Sequence, residues 1–158
     1  MPIEMVLTSQ IPTLALATRE NVANAVETTA REITSRAKVA VQTGAKTGHI
    51  YKRGNVLHQA SAPGEAPATD VGFLANTIAA QRETDLSWRV DVGAWYGAHL
   101  EFGTAHIAPR PFLGPAVSES QEGHDARMSV VFAQRVESTL STEGLDLESA
   151  PDTGEFFI

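Results

Sequence analysis

The strongest constraint on this chain is a stripe of small apolar residues that runs for about five helical turns. Between Leu14 and Gln42, Val22, Val26, Ala30, Ile33, Ala37 and Val41 recur at intervals of three and four, while Arg19, Glu20, Glu27, Arg31, Glu32 and Lys38 fall mostly off that line. The spacing predicts one long amphipathic helix. Alanine and valine bury little area each but let backbones approach closely, so the helix has to lean on a sheet or on another helix. "QTGAKTG" at 42–48 stops it.

The surface for it to lean on is read from residues 77–92. Leu86, Trp88, Val90 and Val92 alternate with Ser87, Arg89 and Asp91, the period of a strand with one buried and one wet face. "TIAAQRE" before it reads as an antiparallel partner turning at Thr84-Asp85. "HIYKRGNVLHQAS" reads as a hairpin about Gly54-Asn55. In "APGEAPATDVG", residues 62–72, Pro63 and Pro67 impose an ordered loop or arm, and Asp70 fits the cap of one short helical turn. After Gly93, "AWYGAHLEF" reads as a short helix ended by Gly103, with Trp95, Leu100 and Ala98 inward. "PRP" at 109–111 forces an extended crossing. A second long helix follows from Pro115 to about Leu140, with Val117, Met128, Val131, Phe132 and Val136 as its apolar set and Gly123 as a weak point. The fold class expected is therefore α+β: an antiparallel sheet packed against two long helices, with a projecting hairpin and Pro-rich loop. At 158 residues, 42% hydrophobic, the chain suits one domain over 1–140. Residues 141–158 form an acidic tail tipped by Phe156, Phe157 and Ile158.

Composition narrows the function. Cysteine is absent, which excludes disulfides, thiolate metal sites and cysteine nucleophiles. Twelve Lys and Arg against nineteen Asp and Glu give a net charge of -7, the wrong sign for gripping phosphates. The opening residues lack the basic and apolar regions of a signal peptide, and no window approaches a membrane span, so a soluble chain is expected. His99, Glu101 and His106 suggest a metal set, but residues two apart on a helix point about 200° away from each other. "TGAKTG" misses the phosphate-loop pattern because Ala45 separates Gly44 from Lys46. No G-x-S-x-G elbow occurs, and nothing in the sequence brings Glu101 and Asp91 to one cleft. The expectation is a chain that is not an enzyme and has no cofactor and no metal.

The densest stretch, "YGAHLEFGTAHIAPRPFLGPA" at 96–116, invests heavily in fixing the backbone. "YGAHLEFGT" followed by "APRPFLGPA" resembles the signature of the gene-product-ten-like family of long-tailed bacteriophages. "GHIYKRGNVLHQASAPGEAPATDVGFLANTI" at 48–78 is similar to that family's other characteristic block. Together the resemblance covers residues 44–117, with departures at Gly97, His99 and Gly114. It implies a virion structural protein that forms a ring at the head–tail junction, completing the neck or, alternatively, capping the tail tube as a tail terminator. The partners it implies are further copies of the chain in a six-fold or twelve-fold ring, the head connector or stopper, and the tail terminator or tail tube. Packaged duplex DNA would pass through without specific binding, and an acidic lumen would let it slide. The localisation implied is the virion, with assembly in the host cytoplasm. Expected interface residues are Tyr96, Glu101, Phe102, Thr104, Arg110 and Phe112, with Pro63, Glu65 and Pro67 of the arm. Arg110, fixed between two prolines, is expected to reach a neighbour at little entropic cost, and Glu101 to pair with it within the subunit or across to the next.

Overall fold

The computed structural model describes residues 3–8, 16–68 and 71–142. Its elements are β1 (Ile3–Thr8), α1 (Leu16–Thr43), β2 (Ile50–Arg53), β3 (Val56–Gln59), α2 (Phe73–Thr77), β4 (Ile78–Thr84), β5 (Ser87–Val92), α3 (Gly97–Phe102) and α4 (Leu113–Thr142). The α+β architecture is as expected, with a three-stranded antiparallel sheet in the order β1-β5-β4 and a separate hairpin, β2-β3. The C-terminal stretch from residue 143, including Phe156, Phe157 and Ile158, lies outside the described residues, as does Asp70.

The stripe of α1 behaves as its spacing requires. Val22, Val26, Ala30, Ile33, Ala37 and Val41 are all buried, against Trp88, Val90 and Val92 of β5 and Ile78 of β4. The guanidinium of Arg31 sits 5.4 Å from the centre of the Trp88 ring and covers its outer side. On the opposite face of the sheet Arg89 lies between Glu83 and Asp91, 3.3 Å from each, so that face is half covered by charge pairs rather than fully wet. α4 runs antiparallel along α1. Arg36 meets Glu119 at 3.2 Å, Thr29 Oγ1 lies 3.0 Å from His124 Nδ1, and Arg127 reaches both Thr29 and Glu32. Phe112, Leu113 and Ala116, where α4 begins, complete the core.

Five local expectations change. β1 was not foreseen: its run "IEMVL" becomes a strand by pairing with β5, Ile3 opposite Val92 and Thr8 opposite Ser87, a contact too distant in sequence for local pattern to reveal. The turn into β5 comes one residue later than expected, so Leu86 lies outside the strand and is half-buried. Trp95 precedes α3 rather than joining its inner face, and it is 73% exposed, the buried positions of that helix being Gly97 and Glu101. Phe132 and Val136 face solvent on α4, while Val131 is the buried member of that set. Gly123 does not interrupt the helix.

The hairpin β2-β3 projects, with nearly every side chain exposed. The Pro-rich segment after it turns back onto the body. The amide of Gly64 donates to the carbonyl of Pro109 at 2.9 Å, and Pro67 is buried. Its short helix α2 is preceded by Gly72 in the left-handed region, which supplies no side-chain cap.

Candidate assembly surface

The residues from 96 to 116 form a clasp between α3 and α4. Glu101, on the inner side of α3, points its carboxylate at the first turn of α4. Its Oε2 accepts from the amides of Phe112 at 2.8 Å and Leu113 at 3.0 Å, and its Oε1 accepts from Gly114 at 2.7 Å. A helix N-terminus carries unpaired amides and a positive dipole end, and a carboxylate is well suited to satisfy both. Gly114 fits because a Cβ there would stand 3.0 Å from Glu101 Oε1. Gly103 ends α3 at φ +74, where a Cβ would also come within 2.7 Å of the carbonyl oxygen of Ile107. The hydroxyl of Thr104 accepts from the amides of His106 and Ile107 and closes the turn. The amide of Arg110 then donates to the carbonyl of Leu100 at 2.7 Å, tying the proline crossing to α3.

The arm meets this clasp from outside. Arg110 Nε donates to the carbonyl of Ser61 at 3.3 Å. Glu65 holds the arm's own shape by accepting from the amide and hydroxyl of Thr47 and from the amide of Ala62. Those donors, the Thr47 hydroxyl first, hold the Glu65 carboxyl below its ordinary value.

Of the expected interface residues, the structure therefore uses several within the subunit. Glu101 is 7% exposed and Phe112 fully buried, so neither presents a surface to a neighbour. Glu101 does not pair with Arg110: its oxygens accept from three backbone amides, and Arg110 Nε is turned to the carbonyl of Ser61. Arg110 is half-buried against the arm rather than held out, and Pro67 is buried as well. Glu65 is half-buried, while Pro63, Thr104 and Phe102 are exposed and Tyr96 half-exposed.

What the clasp does present is aromatic. Trp95 and Phe102 are each 73% exposed and His99 lies between them at helical spacing. Trp95 packs edge-on against both Tyr96 and His99, and Tyr96 in turn meets Phe73. Val71 and Phe73 are exposed beside them, along a shallow cavity of about 230 Å³ bordered by Arg53, Tyr96 and Leu100. Trp95, Phe73 and Val71 were not among the sequence candidates. No local signal marks them: Trp95 stands two residues before α3, and Phe73 and Val71 lie in and before the short α2. Among the described residues no cluster of three or more His, Asp or Glu side chains is arranged to hold a metal, and no helix is long and apolar enough to cross a membrane. Comparison with family models, with curated proteins and with solved structures gives no match to this chain.

Proposed function

We propose that this chain is a virion structural protein of a long-tailed bacteriophage, assembling as a ring that completes the neck at the head–tail junction. The observation that carries the reading is the exposed aromatic face. Trp95 and Phe102 stand in solvent at the two ends of α3, whose exit Glu101, Thr104 and the Arg110 amide fasten to α4 and the proline crossing, and exposed Phe73 of α2 meets Tyr96 beside them. Large clustered aromatics left outside a core mark a protein contact, and a preorganised backbone lowers the cost of making it. A subunit that meets its neighbours through two different faces closes into a ring when the rotation allows.

The ring has a mechanical role and carries out no bond-making chemistry. Glu101 is the one buried carboxylate among the described residues, and its two oxygens accept from three backbone amides. The net charge of -7 suits a lumen through which duplex DNA slides, because like charge prevents the phosphates from sticking. The resemblance of residues 44–117 to the phage family gives the reading its position in the virion. Electron microscopy of the purified protein tests it: closed rings with a central hole are expected, and a dispersed monomer at every concentration would contradict it.

A further inference from the structure

The hairpin has two faces, because residues opposite one another in an antiparallel pair lie on the same side and alternate along the strands. Ile50 stands opposite Gln59 and Lys52 opposite Leu57, so Ile50, Lys52 and Leu57 share one face. Ile50 is 56% and Leu57 70% exposed. The other face carries Arg53, which borders the aromatic cavity of its own subunit. A two-stranded ribbon is marginal in water without something to pack on, and here the two strands pack chiefly on each other. The charge of this region is opposite to that of the chain. Between Gly44 and Gly64 there are Lys46, Lys52 and Arg53 and no acidic residue, whereas the other nine of the twelve Lys and Arg are set against all nineteen Asp and Glu.

A matching surface lies on the outer side of α4. Glu122 and Asp125 are exposed along its first half, and Phe132 and Val136 continue the same side, while Glu119 is turned toward Arg36 of α1. From Glu122 to Val136 the helix rises about 21 Å, enough to seat strands of four residues, which span about 13 Å.

We propose that, in the ring inferred above, the Ile50–Lys52–Leu57 face of the hairpin docks on the outer side of α4 of the next copy. Ile50 and Leu57 cover Phe132 and Val136, and Lys52 lies beside Asp125. The inference rests on the ring reading and adds the contact that closes it. The aromatic face is the poorer seat for this hairpin, since the charge that borders its cavity, Arg53, has the same sign as Lys52. Duplex DNA is also a poorer partner, because Ile50 and Leu57 would stay in water against phosphates.

The chain contains no cysteine, so introduced thiols report without background. Protein carrying Leu57→Cys, mixed with protein carrying Phe132→Cys and oxidised, is expected to give a covalent dimer. Replacing the second partner by Thr84→Cys, on exposed β4, is expected to give none. In sedimentation, Leu57→Glu is expected to weaken association at least about tenfold with an unchanged melting curve. Lys52→Glu should weaken it roughly two- to five-fold, and Asp125→Lys in the same chain should restore it. Rings that form normally without the Leu57–Phe132 cross-link would overturn the hairpin contact and leave the ring reading standing. So would a Lys52→Glu variant that assembles normally and loses only retention of duplex DNA. A wild-type chain that stays monomeric would overturn both.

Discussion

At the scale of single residues, Glu101 decides how the motif at 96–116 works. Its carboxylate replaces the water that the Phe112, Leu113 and Gly114 amides would otherwise need, in a place where Phe112 and Leu113 are buried. Removing it strands these donors, so Glu101→Ala should destabilise the fold by about 2–3 kcal/mol. A denaturant midpoint unmoved by the change would contradict the clasp. The sequence showed that this stretch was rigid but not why, because a glutamate two residues before a glycine looks the same whether it caps a distant helix or waits for a partner subunit. Trp88 was legible, since strict alternation placed it on the inner face and the structure buries it beneath α1 and Arg31. Trp88→Ala should cost about 3–5 kcal/mol, measured by chemical unfolding. A loss below about 1 kcal/mol would put its ring outside the core.

At the scale of elements, what the sequence revealed depended on how local the determinant was. α1 was readable because one period fixed its whole buried face. β1 was not, because its strand character comes from pairing with β5 more than seventy residues on. Trp95 was misjudged for another reason. Its side depends on α3 beginning only at Gly97, after a turn in which the Gly97 amide donates to the carbonyl of Ala94. The arm at 61–68 gives an element-scale prediction in pH. Glu65 is held below the ordinary carboxylate value of 4.5 by the Thr47 hydroxyl and amide and the Ala62 amide. A carboxylate with a lowered folded pKa contributes stability that is fully present above its unfolded value and is lost as pH falls through the folded one. Glu65→Gln should therefore melt earlier than the wild type at neutral pH, and the difference should shrink as pH falls below 4.5. A gap in melting temperature that stays constant through that window would show that the Glu65 contacts do not depend on its charge.

At the scale of the whole molecule, the account separates the groups that hold the subunit together from those that join it to others. Glu101, Phe112 and Pro67 lie inside, while Phe73, Trp95, Phe102 and the hairpin lie outside. This division makes assembly separable from folding, and Trp95 and Phe102 are the residues to separate them with, since both stand 73% exposed on a backbone fixed by other groups. The most direct test is native mass spectrometry of the wild type beside the Trp95→Ser, Phe102→Ser double variant, with melting curves for both. The account predicts one discrete closed oligomer for the wild type and folded monomers, melting as the wild-type subunit does, for the variant. A wild type that is monomeric at every concentration, or a variant that forms the same oligomer, would contradict it.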